Sequence, residues 1–157
     1  MNFQISPLSD SEFSYLYGAR EDQLSDVGAM RVTADSQPGY PCRVSLRDAE
    51  IGETLILLNY SHQNERTPYR GSHAIFVIEG AKQAMVPQNT IPQVLRSRML
   101  SVRGFDAHHH MVAAEICPGS ELEPTIRNMA SVQGVEYLHL HNAAPGCFAA
   151  RVDFCAN

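Results

Sequence analysis

The chain has 157 residues, 44% of them hydrophobic and 18% charged, a composition that excludes intrinsic disorder and fits one domain. At this length about 70% of the unfolded chain's surface can be buried, so neither disulfide nor structural metal is needed for stability. A net charge of -5 argues against nucleic acid as a main partner.

Eleven of the twelve basic residues are Arg, Lys82 being the only lysine. Arg forks suit carboxylate and phosphate contacts, although GC-rich codon usage produces the same bias and is the preferred explanation. The opening Met1-Asn2-Phe3-Gln4-Ile5-Ser6-Pro7 lacks the basic start and apolar run of a secretory signal. No stretch approaches 18 apolar residues, so no membrane span is expected. Cys42, Cys117, Cys147 and Cys155 form no C-x-x-C pair, and the expectation is a cytoplasmic protein with four free thiols.

Ser9-Asp10-Ser11-Glu12 reads as a capping box, with Leu8 and Phe13 as its hydrophobic staple, opening a short helix that ends near Gly18. Cys42 to Leu46, Thr54 to Tyr60 and Ala74 to Glu79 alternate as strands, separated by a polar loop from Ser61 to Gly71. Tyr69, Arg70 and His73 lie at the start of the third segment, where a solvated turn is the default. A weak helix covers about Ile91 to Ser97, followed by strands over Arg98 to Phe105 and Met111 to Cys117. Ser120-Glu121-Leu122-Glu123 opens another helix, with Leu122, Ile126, Met129 and Ala130 on one face and Gly134 as its stop. Glu136 to Asn142 and Cys147 to Phe154 complete the strands. Turns rather than crossover helices join most of them, which predicts an α+β fold, mainly antiparallel, with two or three short helices in a single domain.

The last two strands carry the richest chemistry. Leu138 and Leu140 point one way; Tyr137, His139 and His141 point the other. Placing Phe148, Ala150 and Val152 on the leucine side pairs His141 with Cys147, His139 with Ala149 and Tyr137 with Arg151, because a one-residue slip would bury the polar set. His139 or His141 beside Cys147 would draw its proton, making Cys147 a nucleophile and the histidines its bases. Tyr137, Arg151 and Arg103 would then contact a small anionic ligand. Two His at i and i+2, about 7 Å apart, with Cys147 as third ligand, would also suit a metal. That reading is the least favoured, and no metal ligand or cofactor is assigned. The plainer alternative leaves both histidines facing solvent or a second layer, with Cys147 filling a gap beside the turn.

Arg103 shares its strand face with Met99, Ser101 and Phe105 and needs a partner, for which Asp106 is preferred over a bound anion. Cys42, on a face with Val44 and Leu46, reads as a buried structural cysteine. His108-His109-His110 reads as a turn with adventitious metal affinity. No G-x-G-x-x-G, Walker loop, H-E-x-x-H or G-x-S-x-G is present.

Pro41-Cys42-Arg43, Gly52-Glu53 followed by Tyr60, Pro68-Tyr69, Ile75-Phe76-Val77, Arg98 through Arg103, and Tyr137-Leu138-His139-Leu140-His141-Asn142 with Gly146-Cys147-Phe148 occur in that order. Together they resemble the bacterial domain-of-unknown-function family DUF1203, from about Pro41 to Val152. The resemblance implies one compact domain and assigns no reaction, cofactor or residue role. The functional expectation is therefore a small-molecule-binding domain, with an enzymatic role left open. A non-catalytic interaction or homo-oligomerisation module built on the same hairpin face is the rival.

Overall fold

In the computed structural model, which describes residues 1–155, the chain is α+β with two antiparallel sheets and three short α-helices. The fold class agrees with the sequence expectation. The strands are β1 (Asn2–Ser6), β2 (Met30–Thr33), β3 (Thr54–Gln63), β4 (Gly71–Ile78), β5 (Met99–Phe105), β6 (Met111–Pro118), β7 (Tyr137–Asn142) and β8 (Phe148–Cys155). The helices are α1 (Glu21–Asp26), α2 (Gln93–Arg96) and α3 (Leu122–Met129). No helix among the described residues is long and apolar enough to cross a membrane.

Internal contacts divide the chain into two compact units. The first comprises Met1–Ser6, Ser61–His73 and the chain from Val86 onward; the second comprises Pro7–Tyr60 and Ala74–Met85. Strands β3 and β4 contribute residues to both.

The first unit is built on a five-stranded sheet of order β1-β8-β7-β5-β6. On one face Leu138 and Leu140 of β7 meet Gly104 and Val102 of β5 and Val152 and Ala150 of β8, and α3 supplies buried Leu122, Ile126 and Met129. The expected apolar stripe of this helix is thus realised. Its start differs: a 3-10 turn over Gly119–Glu121 precedes it, and no side chain caps it. All six residues of β7 are buried, so the face opposite the leucines is covered as well.

The second unit packs Leu24, Val44, Leu55, Ile56, Ile75 and Val77 into its own core. The amino-terminal segment expected as one helix instead forms two 3-10 turns, Asp10–Glu12 and Ser14–Leu16. Ser9 does cap the first, its Oγ accepting from Ser11 N at 3.3 Å. The segment Cys42 to Leu46 is not a strand; only isolated bridges at Pro41 and Cys42 form. Leu46 adopts φ 47, which breaks extended geometry. Cys42 is buried as expected, and its Sγ accepts from Ser45 N at 3.4 Å and Ile78 N at 3.2 Å.

Candidate functional site

The β7–β8 hairpin departs from the expected register by two residues at Tyr137 and His139 and by one at His141. His139 pairs with Arg151 and Tyr137 with Asp153, and a bulge beside His141 brings Phe148 opposite it. The extra residue of a bulge reverses the alternation of the bulged strand. Phe148 therefore joins the histidine face rather than the leucine face, its ring centroid 5.2 Å from that of His139 and 5.8 Å from that of His141. Cys147 lies one step beyond, where Asn142 donates to its carbonyl at 2.9 Å and Asn142 Nδ2 to its Sγ at 3.4 Å. Cys147 is buried, and Phe148 takes the place opposite His141 that the alternation had given to the cysteine.

The covering layer is the Ser61–His73 segment of the same unit. The polar stretch read as a loop begins as the last turn of pleat in β3, and it brings in His62 and Gln63. His62 stacks on Phe148 (5.6 Å, 1°) and meets His141 edge-on at 4.8 Å and His139 at 5.9 Å. One ligating atom from each of His62, His139 and His141 lies within 4.8 Å of the others. His62 was not anticipated. The signal was there, because Leu58, Tyr60 and His62 continue one period-2 face past the end assigned to the strand.

His139 and His141 are 3% and 1% exposed. Burial, reinforced by the other imidazoles and Arg103, pushes each down to about 3. Burial and then Arg103 lower His62 as well. All three are therefore neutral near pH 7. His141 Nδ1 donates to Gly146 O at 2.8 Å, which fixes its proton on Nδ1 and leaves a lone pair on Nε2. Nothing accepts or donates at His62 Nδ1, His139 Nδ1 or His141 Nε2; these are three of the five buried side-chain nitrogen or oxygen atoms without a partner among the described residues.

Arg103 and Ser101 lie across β5 from His139 and His141 respectively. Arg103 Nε donates to Ser101 Oγ at 3.2 Å, and burial works against its charge. The expected Asp106 partner is engaged elsewhere, its Oδ1 accepting from the backbone of His108 and His110, both at 2.9 Å. These bonds hold the carboxylate below its usual range and close the tight turn that the His108–His110 run was expected to make. Arg151, across β8 from His139, is committed to Asp153 at 2.8 Å and to the face of Tyr137 at 3.9 Å. Tyr137 is buried, its hydroxyl accepting from Gln63 Nε2 at 2.8 Å and lying 2.9 Å from His109 Nδ1. Its ring stacks on Phe105.

The structure thus gathers His139, His141 and Arg103 on one polar face, with His62 against them. It places Tyr137 and Arg151 at the margin, already bonded, and Cys147 beside Asn142. No curated protein and no solved structure matches the chain. One family model does, over residues 39–153, a span containing every residue of this face. The chain therefore belongs to the family described as protein of unknown function, DUF1203.

Proposed function

We propose that this chain is a small-molecule-binding domain whose ligand is anionic and sits on the histidine face of the β7–β8 hairpin, against Arg103. One observation carries the reading. Arg103 is half-buried, with the Ser101 hydroxyl as its only hydrogen-bond partner and no carboxylate paired with it among the described residues. A guanidinium withdrawn from water needs an anion or a full set of acceptors, and its neighbours on the face, His139 and His141, are uncharged. A carboxylate or phosphate would supply the missing charge and occupy the fork bidentately.

Thermal melts in phosphate, acetate, oxalate and citrate, at ionic strength matched with chloride, test this. At least one oxyanion should raise the Tm of the wild-type chain by several degrees, as roughly 100-fold saturation does for a domain of this size. Arg103→Gln should abolish the rise, and Arg66→Gln, at an exposed position, should retain it. A rise that ignores Arg103, or no rise with any anion, would defeat the reading. A dimer that dissociates on Arg103→Gln, without any anion effect, would replace it with the oligomerisation module.

A further inference from the structure

We infer that His62, His139 and His141 form a binding site for a divalent first-row transition metal ion, held by three imidazoles with a coordination position left open. This deepens the small-molecule reading of the same face, since that open position is where an anionic ligand of Arg103 would bind the metal. The metal site itself rests on the three histidines alone.

The three ligating atoms lie within 4.8 Å of one another, so some point lies within about 2.8 Å of all three. A Zn–N bond is about 2.0–2.1 Å, and a contraction of roughly 0.7 Å per ring closes the set. His62 is the ring with freedom to move, being half-buried while the other two are enclosed.

The second observation is the unmet bonding capacity of the same rings. An unpaired buried polar group costs about 1–3 kcal/mol, and His62, His139 and His141 each carry one. A structural cluster of histidines would be expected to satisfy these nitrogens within the protein, as Tyr137 does its hydroxyl with Gln63 and His109. His141 is prepared further: its Nδ1–H is anchored on the Gly146 carbonyl, the outer hydrogen bond that orients a ligating imidazole and fixes its lone pair on the other nitrogen.

The donor set defines the ion. Imidazole suits Zn, Cu, Fe and Ni, whereas Ca and Mg take oxygen ligands. Three protein ligands with an open position are the pattern of zinc sites that bind a water or substrate, as opposed to closed structural sites with four. Among the described residues no carboxylate or thiolate belongs to the cluster, so a divalent ion bound by it keeps its full charge. Arg103 adds another positive charge beside it. An anion bridging the metal and the guanidinium offsets both, so metal and anion should each strengthen the other's binding by the same factor.

The full chain, stripped with a chelator, is titrated with Co²⁺ and with Zn²⁺. Co²⁺ should give the visible d–d absorption of a four- or five-coordinate nitrogen site, displaced stoichiometrically by Zn²⁺, and Zn²⁺ should raise the Tm by about 5 °C or more at saturating concentration. His62→Ala, His139→Gln and His141→Gln should each weaken Zn²⁺ binding at least ~100-fold, exceeding the loss from removing an outer hydrogen bond alone. His62→Ala is the decisive variant, because its half-buried ring is the least costly to remove; melts in chelator verify that the variants fold. His108→Ala/His110→Ala should bind as the wild type does. A stoichiometric Co²⁺ spectrum lost only in the double variant, or no metal effect in the wild-type chain, overturns the site.

Oxalate or phosphate added to the Co²⁺-loaded protein should change its spectrum, and Arg103→Gln should remove that change while leaving the metal bound. Anion stabilisation through Arg103 without metal binding would sink the metal site and spare the small-molecule reading. Metal binding without any anion effect would do the reverse.

Discussion

Tyr137 shows how tightly the margin of the histidine face is committed. Its hydroxyl bridges Gln63 and His109, and burial raises its pKa above the ordinary phenol value. Tyr137→Phe keeps the stacking on Phe105 but leaves the buried Gln63 amide without its acceptor, and should cost about 1–3 kcal/mol, read as a shift in the urea midpoint. A neutral result would show that the amide finds another partner. A second residue-scale prediction concerns acid. Glu53 takes two 2.7 Å bonds from Arg47 and one from the backbone of Glu50, which bring its pKa from 4.5 down to about 2. The folded value is the lower one, so this stabilisation is present above about pH 4.5 and lost as pH falls toward 2. Both side chains are partly solvated, so the gain is about 1 kcal/mol or less. Arg47→Gln should flatten the stability profile between pH 4.5 and 2 and leave its shape near pH 7 unchanged; an identical acid limb in both proteins would contradict this.

At the scale of elements, contacts between segments decided what local pattern could not. Six of the seven alternating segments are strands; in five of them the apolar set meets a core, while β6 is held at the sheet edge by its pairing with β5 and buries only Cys117. Cys42 to Leu46 alternates equally well, yet it turns back on itself, with the Cys42 sulfur accepting backbone N–H groups that a strand would have paired. β1 and β2 are short, five and four residues, and are strands through their pairing with β8 and β3. The hairpin register was argued from the faces alone, and a bulge changes faces without leaving a mark in the hydrophobic pattern. The glycines mark close approaches just as invisible beforehand. A Cβ on Gly119 would fall 1.9 Å from Leu95 O, which is backbone, whereas one on Gly104 would meet the side chains of Val135 at 3.0 Å and Met129 at 3.1 Å. Gly119→Ala must displace α2 and should cost about 3 kcal/mol or more, while Gly104→Ala should cost nearer 1 kcal/mol, since side chains yield where backbone does not. Equal urea midpoints for the two variants would refute this ordering.

For the whole molecule, composition excludes disorder and the alternating pattern gives the fold class and locates the hairpin, but the site needs a residue 77 positions from His139 in the sequence, and no periodicity reports such a distance. The thiols offer a test that spans the chain. None of the four cysteines is in a disulfide; Cys42, Cys117 and Cys147 are buried and Cys155 is partly exposed. Burial also raises the Cys117 pKa, reducing its thiolate further. A small alkylating reagent at neutral pH should therefore label Cys155 first, and the three buried thiols only as fast as local opening exposes them. In denaturant without reductant all four should react, and a count of two would mean that a disulfide forms. The order of labelling also bears on Cys147, expected from the sequence to be a nucleophile. Its sulfur accepts from Asn142 Nδ2, and the register gives the place facing His141 to Phe148. Labelling of Cys147 in the native protein faster than Cys155, and slowed by His141→Gln, would restore the nucleophile. Labelling at the pace of Cys42 would leave the chemistry of this face to its three imidazoles and Arg103.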